Sequence, residues 1–308
     1  MKVAYVICTI GHGRGGHFHS LAVVAEALHS RIGCVIVNIG MQPSAVLQNS
    51  SVPFEFIYFD GRDTAGCRKR LIERITELKP DVLHSFDVAA HFWARMMGLS
   101  YDVPVVHSKC GGPNPSRYYP FAKIIITFSQ ENTRFFKQSR RHRHSQIEHI
   151  PNRSTGVSVD DRRVRRLLER CDAGCHIVMR ISRFSPAYQR SLMQSIDLVT
   201  HLNSSSPKRF QLVVVGAIQD PAVYESVRAY ATKDVVLVTD KYFTNVASQL
   251  LGLADAVVAT GRGVMEAASL GKVILVPSDK NKLPVLMTPG NVDELFAKNF
   301  SPRVEPAN

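Results

Sequence analysis

The stretch AVVATGRGVMEAASLGKVILVP, residues 256–277, contains two apolar runs separated by a glycine turn and a short helical segment. The runs at 256–259 and 273–276 lack the polar alternation of a half-exposed strand, which is typical of strands covered on both faces. The intervening segment carries one acid, Glu266, which we place in the first turn of the helix. A strand, a turn, a helix and a second strand form a βαβ unit, and this unit predicts a parallel α/β sheet.

The same alternation of apolar runs and helical segments extends over most of the chain. It begins at residue 3 and restarts at residue 176, whereas residues 138–173 are polar, basic and poor in strand signals. We therefore predict an α/β protein of two Rossmann-like, doubly wound parallel-sheet domains that face a cleft. We expect residues 1–155 to form the acceptor-side domain and residues 156–308 to form the donor-side domain.

The composition excludes several classes of protein. A chain of 308 residues is long enough for two domains, and 45% apolar with 21% charged residues carries no signature of disorder. No apolar run is long enough to cross a bilayer, and the N-terminal run is too short for a signal peptide, so we expect a cytoplasmic protein. The six cysteines form no CxxC pair, which predicts reduced thiols and no metal site.

The charge is concentrated in one segment. The net charge is +12, and residues 134–170 hold eleven basic residues but only four acids. Such a segment attracts phosphate groups, and we expect it to contact an anionic membrane surface on the inner face of the cell membrane. A solvated connector between the domains is the alternative interpretation. The segment matches no known nucleic-acid-binding module, so we expect no nucleic-acid partner.

A glycine-rich loop follows the first apolar run. Gly11, Gly13 and Gly16 satisfy the spacing GxGxxG, which lets backbone N–H groups approach a diphosphate. A nicotinamide or flavin site would also need an acid at the end of the next strand, where this sequence offers only Asn38. The missing acid therefore argues against a dinucleotide. Two interpretations of the loop stay open, a turn that binds a phosphate and a turn that binds no ligand.

Polar side chains follow two further apolar runs. His84 ends the run DVLHSF, where a histidine can act as a base or orient a substrate hydroxyl, unless it is an ordinary surface or capping residue. Arg180, Arg183 and Arg190 surround the turn after residue 181. Arginine binds phosphate in a bidentate manner, so these side chains suit a diphosphate, and helix capping or surface ion pairs are the alternative.

Several segments, taken in order and spacing, resemble family 4 glycosyltransferases of the two-Rossmann-domain GT-B fold. The resemblance covers most of the chain. Its segments are Gly15-Gly16 with the following helix, DVLHSFD at 81–87, IITFSQENTRFF at 125–136, HIPNRST at 149–155, RISRFSPAYQRSL at 180–192, LVVVGAIQDP at 212–221 and VMEAASLGKVILVP at 264–277.

The resemblance implies a retaining hexosyltransferase that needs neither a metal nor a cofactor. Its donor would be a nucleotide sugar such as a UDP- or GDP-sugar, and its acceptor a saccharide or a lipid-linked molecule. The family acts in the synthesis of cell-surface polysaccharides and glycolipids, which we expect of this chain too.

The resemblance also implies roles for particular residues. His84, Arg183 and Arg190 match catalytic positions, with the two arginines on the diphosphate. Glu266 would hold the ribose hydroxyls, and Gly15 and Gly16 would close over the phosphates. The full set implied to bind the donor is Gly15, Gly16, Gly261, Gly263, Val264, Met265 and Glu266.

The sequence departs from the family pattern at several positions. An earlier acid that contacts the donor sugar is replaced by Val258, and the second histidine of the D-x-x-H-x-H pattern is Phe86. Tyr188 stands where the phosphate-loop lysine is expected, and Arg190 fits only with a shift of two residues. The sequence also leaves room for only one short helix after residue 277, which predicts a truncated second domain. These departures keep a second function open, a degenerate relative that binds a nucleotide sugar or a partner transferase without turnover.

Overall fold

The computed structural model describes residues 1–9, 11 and 13–304. The chain divides into two compact units, Met1–Arg153 and Ser154–Asn308. Each unit is a sheet of mostly parallel strands connected through helices, which confirms the predicted fold class. None of the helices in the described part of the chain is long and apolar enough to cross a lipid bilayer.

The first unit is a seven-stranded parallel sheet with the strand order β3-β2-β1-β4-β5-β6-β7. Its strands are β1 (Lys2–Thr9), β2 (Gly33–Gly40), β3 (Phe54–Tyr58), β4 (Val82–Ser85), β5 (Val105–Lys109), β6 (Ile124–Thr127) and β7 (Gln146–His149). Its helices are α1 (Gly16–His29), α2 (Ala45–Gln48), α3 (Thr64–Leu78), α4 (Val88–Tyr101), α5 (Gln130–Gln138) and a 3-10 turn, Arg140–His142.

The second unit is a six-stranded sheet with the strand order β10-β9-β8-β11-β12-β13. Its strands are β8 (His176–Ile181), β9 (Phe210–Val215), β10 (Val235–Val238), β11 (Ala256–Val258), β12 (Val273–Val276) and β13 (Val285–Leu286). Its helices are α6 (Asp161–Leu168), α7 (Pro186–Ser205), α8 (Pro221–Tyr230), α9 (Lys241–Thr244), α10 (Arg262–Ser269), α11 (Val292–Ala297) and a 3-10 helix, Ala247–Leu253. The edge strand β13 is antiparallel to β12, so this sheet is mixed and not purely parallel.

Burial on both faces explains why the strands read as continuous apolar runs. Every residue of β1 after Lys2 is buried, with alternate side chains packed into two separate cores. In the second unit, Val178 and Met179 are neighbours in β8 and likewise enter two different cores. Helices cover both faces of each sheet, and no solvent-facing stripe of polar residues is needed.

The basic stretch at 134–170 belongs to two different units. Its first part includes most of α5 and the edge strand β7. Residues of β7 alternate between exposed and half-buried, which explains why this strand lacks an apolar run. Its last part forms α6, a basic helix that buries only Leu167 completely. Arg163 pairs with Asp160, and Arg170 pairs with Asp240 at 3.0 Å, so some of these charges are used within the second unit.

Gly216 shows how tightly β9 packs against the turn that follows β8. A Cβ atom at this position would overlap the carbonyl oxygen of Ser182. We expect Gly216→Ala to lower the free energy of unfolding by about 2–3 kcal/mol, because backbone must shift to make room. Gly156→Ala is the matched control, since its Cβ would meet no heavy atom of the described residues within 4 Å. Denaturation with urea, followed by circular dichroism, would contradict the prediction if both variants lost the same stability.

Candidate functional site

The order of strands in the second unit reverses between β8 and β11. From β8 the chain continues to β9 and β10 on one side, then returns to β11 on the other. The two turns that follow β8 and β11 therefore diverge, and such a divergence creates a crevice at the carboxyl edge of the sheet. Arg180 and Val258 are partners in the register, and Arg183 and Gly261 each lie three residues further along, beyond the carboxyl ends of these two adjacent strands. The structure thus places Arg183 and the segment 261–266 at one edge of the sheet.

A turn of only three residues connects β11 to α10. Gly261 adopts a φ of 53°, in the left-handed region that favours glycine, and α10 begins at Arg262. Glu266 is therefore the fifth residue of the helix, and its predicted place in the first turn was wrong. A Cβ atom at Gly263 would lie 3.5 Å from the Cβ of Ala259, so the turn stays narrow.

Glu266 forms an ion pair within its own helix. The Nε atom of Arg262 donates to Oε1 of Glu266 at 2.6 Å, and both side chains are mostly buried. The Nη1 atom of Arg262 is buried without a hydrogen-bond partner in the described part of the chain. This pair was not predicted from the sequence, although the spacing of four residues between an arginine and a glutamate is a recognised helical signal. Val264 is buried behind the turn, and Met265 is half-buried beside it.

Val258 does not occupy a ligand-facing position. It ends β11 and is fully buried among the side chains between the sheet and α7. Because the turn after β11 is so short, the position eight residues before Glu266 lies inside the strand. Our interpretation of Val258 as the replacement for a sugar-contacting acid was therefore wrong.

Arg183 is held by the tyrosine that replaces the expected lysine. Its guanidinium lies 5.3 Å from the centre of the Tyr188 ring, and its Nη2 atom donates to the Tyr188 hydroxyl at 3.2 Å. Arg183 is half-buried, whereas Arg190 is exposed on α7. Tyr188 therefore orients Arg183 through stacking and a hydrogen bond.

Arg180 is a cation inside the second unit, with only 2% of its surface exposed. It donates to the carbonyl oxygen of Val258 and to Oγ of Ser191, both at 3.0 Å. Within the described residues, its Nε atom has no partner and no carboxylate forms an ion pair with it. Burial lowers the pKa of Arg180 to about 10, so the side chain remains charged at neutral pH.

In the first unit, His84 lies near the carboxyl end of β4. Its Nε2 atom is 2.9 Å from Oγ of Ser108. Burial, and after it the charge of Arg153, lowers the pKa of His84 to about 3, so the ring is neutral at pH 7. Phe86, which stands in place of the second histidine, is buried and packs edge-on against Tyr5. Phe86 is therefore part of the core.

A cavity of about 480 Å³ lies at the carboxyl ends of β1 and β4, where the first sheet reverses its order. Its lining includes Cys8, His17 and Asp87. The Asp87 carboxylate accepts from the backbone N–H of Cys8 at 2.7 Å and from that of Ala90 at 2.8 Å. Asp87 thus caps α4 and ties it to β1, which is a structural role.

The glycine loop leads directly into α1. Gly15 precedes the helix and Gly16 is its first residue, so the backbone amides of the first turn lie beside these glycines. Asn38 is fully buried, and its side chain bonds the carbonyl oxygen of Ile7 at 3.1 Å and the hydroxyl of Thr9 at 2.7 Å. Asn38 therefore supports the end of β1 and is not placed to hold a ribose.

Comparisons with known proteins identify the class of fold. No protein-family model matches the sequence, and no curated protein matches it. Anabaena HepE in complex with UDP-glucose has a similar structure, with a TM-score of 0.68 and 16% identity over 97% of this chain and 93% of that one. A glycosyltransferase from Rickettsia africae ESF-5 has a TM-score of 0.67 and 13% identity over 89% and 78% of the two chains.

A third similar structure is that of an enzyme with a different activity. The UDP-GlcNAc 2-epimerase of Neisseria meningitidis, bound to UDP-GlcNAc, has a TM-score of 0.59 and 15% identity over 92% of this chain and 84% of that one. At such low identity these likenesses establish the fold alone. The chain has the GT-B-like fold of two α/β units, and this fold is shared by glycosyltransferases and 2-epimerases.

A network of buried histidines beside His84 should make the protein sensitive to acid. Oγ of Ser85 is 2.9 Å from Nδ1 of His107 and 3.2 Å from Nδ1 of His91, and His107 also bonds the hydroxyl of Tyr119 at 2.5 Å. Burial lowers the pKa of His91 and of His107 below the usual value. The unfolded chain therefore binds protons that the folded chain does not, and stability is complete above about pH 6.5 and is lost on acidification.

We expect the free energy of unfolding to fall between pH 6 and pH 5, by at most about 1.4 kcal/mol per pH unit for each such histidine. His107→Asn removes one of the groups that bind a proton on unfolding, so the free energy of unfolding should fall less steeply with pH in this variant. This expectation holds even if the variant is less stable at pH 7.5. His29→Asn is the control, because His29 is exposed at the end of α1. Urea denaturation at a series of pH values measures the slope, and equal slopes for all three proteins would contradict the prediction.

Proposed function

We propose that the protein is a glycosyltransferase of the family 4 type, which transfers a sugar from a UDP- or GDP-sugar with retention of configuration and without a metal. The acceptor would be a saccharide or a lipid-linked molecule, in the synthesis of cell-surface polysaccharide or glycolipid. The observation that carries the proposal is the crevice of the second unit. There Arg183, the narrow turn at Gly261 and the start of α10 lie at one edge of the sheet.

Each part of a nucleotide diphosphate has a suitable partner at this edge. The positive end of the α10 dipole, at Gly263, Val264 and Met265, suits the diphosphate. The N–H groups of Gly263 and Val264 already donate to the carbonyl oxygens of Thr260 and Gly261, so the attraction there is that of the helix dipole. Arg183 adds a cation that Tyr188 holds in place. Glu266, one helical turn beyond Arg262, is an acceptor for the ribose hydroxyls. A cationic site of this kind stabilises the charge that develops on the diphosphate when the sugar leaves.

The identity of the nucleotide is supported by the similar structures. HepE is described with UDP-glucose, and the Neisseria epimerase with UDP-GlcNAc. We therefore place UDP ahead of GDP as the nucleotide of the donor. The choice among sugars rests on side chains that differ between these proteins.

The first unit would bind the acceptor. His84 is neutral at pH 7, so we assign it the orientation of a hydroxyl group through a hydrogen bond and not the donation of a proton. Gly15 precedes α1 without a side-chain cap, and a Cβ atom at Gly16 would meet no heavy atom of the described residues within 4 Å, so the start of this helix suits a phosphate. The exposed basic residues near the end of the first unit, Arg140, Arg141 and Arg143, suit an anionic membrane surface.

A second candidate function is favoured by the ion pair of Arg262 and Glu266. In this pairing the carboxylate proposed for the ribose is already bound by an arginine at 2.6 Å. A protein that binds a nucleotide sugar or a partner transferase without turnover would tolerate such a contact. Product analysis with UDP-glucose and UDP-GlcNAc distinguishes transfer, epimerisation and binding without reaction.

UDP should stabilise the protein against heat. At a concentration one hundred times its Kd, a ligand of the folded state adds about 3 kcal/mol to the free energy of unfolding. Glu266→Gln should weaken UDP binding about tenfold, because the amide is a poorer acceptor for two ribose hydroxyls. Calorimetric titration measures the affinity, and Glu169→Gln, an exposed acid of the second unit, is the matched control. A stable protein that gains no stability from UDP, GDP or ADP would refute a nucleotide site.

His84→Gln should separate binding from transfer. We expect the variant to keep the wild-type affinity for UDP and to lose about 100-fold or more in the rate of sugar transfer, because a misoriented hydroxyl reacts slowly. His29→Gln, which changes an exposed histidine of the same unit, should transfer sugar at the wild-type rate. Loss of UDP affinity in His84→Gln would show that His84 has a different role.

A further inference from the structure

The crevice between β8 and β11 carries more positive charge than the acids of the described residues neutralise. Three arginines belong to the two strands and turns that form it: Arg180, Arg183 and Arg262. Glu266 pairs with Arg262, whereas Arg183 is held by a neutral tyrosine and Arg180 by a carbonyl and a hydroxyl. A buried cation without an acid costs several kcal/mol of desolvation energy, so Arg180 is an expensive residue at this place.

In the described part of the chain, both helices that begin at the crevice lack a side-chain cap, as α1 of the first unit also does. Five of the described helices of eight residues or more begin with a side chain that accepts from the first turn, namely Asp63, Asp87, Ser129, Asp160 and Asp220. The two helices that begin at this crevice, α7 and α10, have no side-chain cap among the described residues. In α10, the N–H groups of Gly263 and Val264 donate to the carbonyl oxygens of Thr260 and Gly261 at 3.1 and 3.2 Å, so the donor capacity at this edge comes mainly from the arginine side chains.

Arg262 is unfavourably placed for a purely structural residue. It is the first residue of α10, where the helix dipole is positive and repels a cation, and the first turn contains no acid. Its Nε atom is used by Glu266, and its buried Nη1 atom has no partner in the described residues. The guanidinium therefore keeps donor capacity that the folded chain leaves unsatisfied, and an anion at the start of α10 would satisfy both the helix and the arginine.

We propose that Arg262 is the second cation that binds the diphosphate of the nucleotide, a role that the sequence pattern assigned to Arg190. This inference rests on the nucleotide site proposed above and names a residue that makes it specific for diphosphates. Arg262 then acts on two parts of the nucleotide. It positions the Glu266 carboxylate that binds the ribose, and it donates a hydrogen bond to a phosphate oxygen. Arg180 holds the end of β11 in place, because it donates a hydrogen bond to the carbonyl oxygen of Val258, four residues before Arg262.

The proposal predicts selectivity for ligands that contain a diphosphate. The wild-type protein should bind UDP more tightly than uridine and should also bind inorganic pyrophosphate. Arg262→Gln should lower the affinity for UDP and pyrophosphate at least tenfold and leave that for uridine within twofold. Arg262→Lys, which keeps the charge, should recover part of the affinity for pyrophosphate.

Two further variants make the experiment specific. Arg190→Gln tests the rival cation and should change none of the three affinities by more than twofold. Arg228→Gln is the matched control, because Arg228 also pairs with a glutamate of its own helix, Glu225, at 2.8 Å. Calorimetric titration of all variants with UDP, uridine and pyrophosphate, after their folding has been checked by circular dichroism, gives the affinities.

The outcomes separate this inference from the proposed function. Binding of pyrophosphate that is lost in Arg262→Gln, with no binding of any nucleotide, would refute the nucleotide site and keep Arg262 as an anion ligand. An unchanged affinity for UDP and pyrophosphate in Arg262→Gln would overturn the inference. So would a gain in uridine affinity, since Arg262 would then only block Glu266. A wild-type protein that binds neither UDP nor pyrophosphate would overturn both.

Discussion

The reversal of strand order is the constraint on which the rest of each unit depends. In a parallel sheet, the turns after two adjacent strands diverge only where the chain leaves in opposite directions. The first unit has this point between β1 and β4, and the second between β8 and β11. These are the places where a helix N-terminus, a glycine turn and a polar side chain can meet without burying unsatisfied backbone groups. The remaining strands and both layers of helices hold these two edges in place.

Electrostatics distinguish the edge in the second unit from the rest of the molecule. The described arginines that form ion pairs are mostly well exposed to solvent. Arg74, which pairs with both Glu55 and Glu77, is an example. Arg180 is buried, and its hydrogen bonds go to a carbonyl and a hydroxyl instead. Folding can tolerate this cost when a ligand offsets it, because anion binding and stability then favour the same arrangement. The fold alone does not choose between transfer and epimerisation, since similar structures do both.

Much of the fold could be predicted from the sequence, because doubly covered strands require continuous apolar runs. The edge strand β7 was missed for the same reason, since it alternates between exposed and half-buried residues. The positions of Arg183 after β8 and of Glu266 in the helix after β11 could be predicted from their motifs, and their roles stay predictions. The spacing of four residues between Arg262 and Glu266 is compatible with a helical ion pair. Whether the pair forms depends on where α10 begins, and that position is set by the left-handed conformation of Gly261.

The sequence by itself determined the class of architecture, two βα series with glycine turns after their strands, because apolar periodicity is a local property of the chain. Only the tertiary structure decided which residues meet at the carboxyl edges and how they are charged. It buried Val258 in the sheet, gave Arg180 hydrogen-bond partners that carry no charge, and lowered the pKa of His84 through partial burial. Burial and hydrogen-bond partners come from distant parts of the chain, so spacing along the sequence does not contain them.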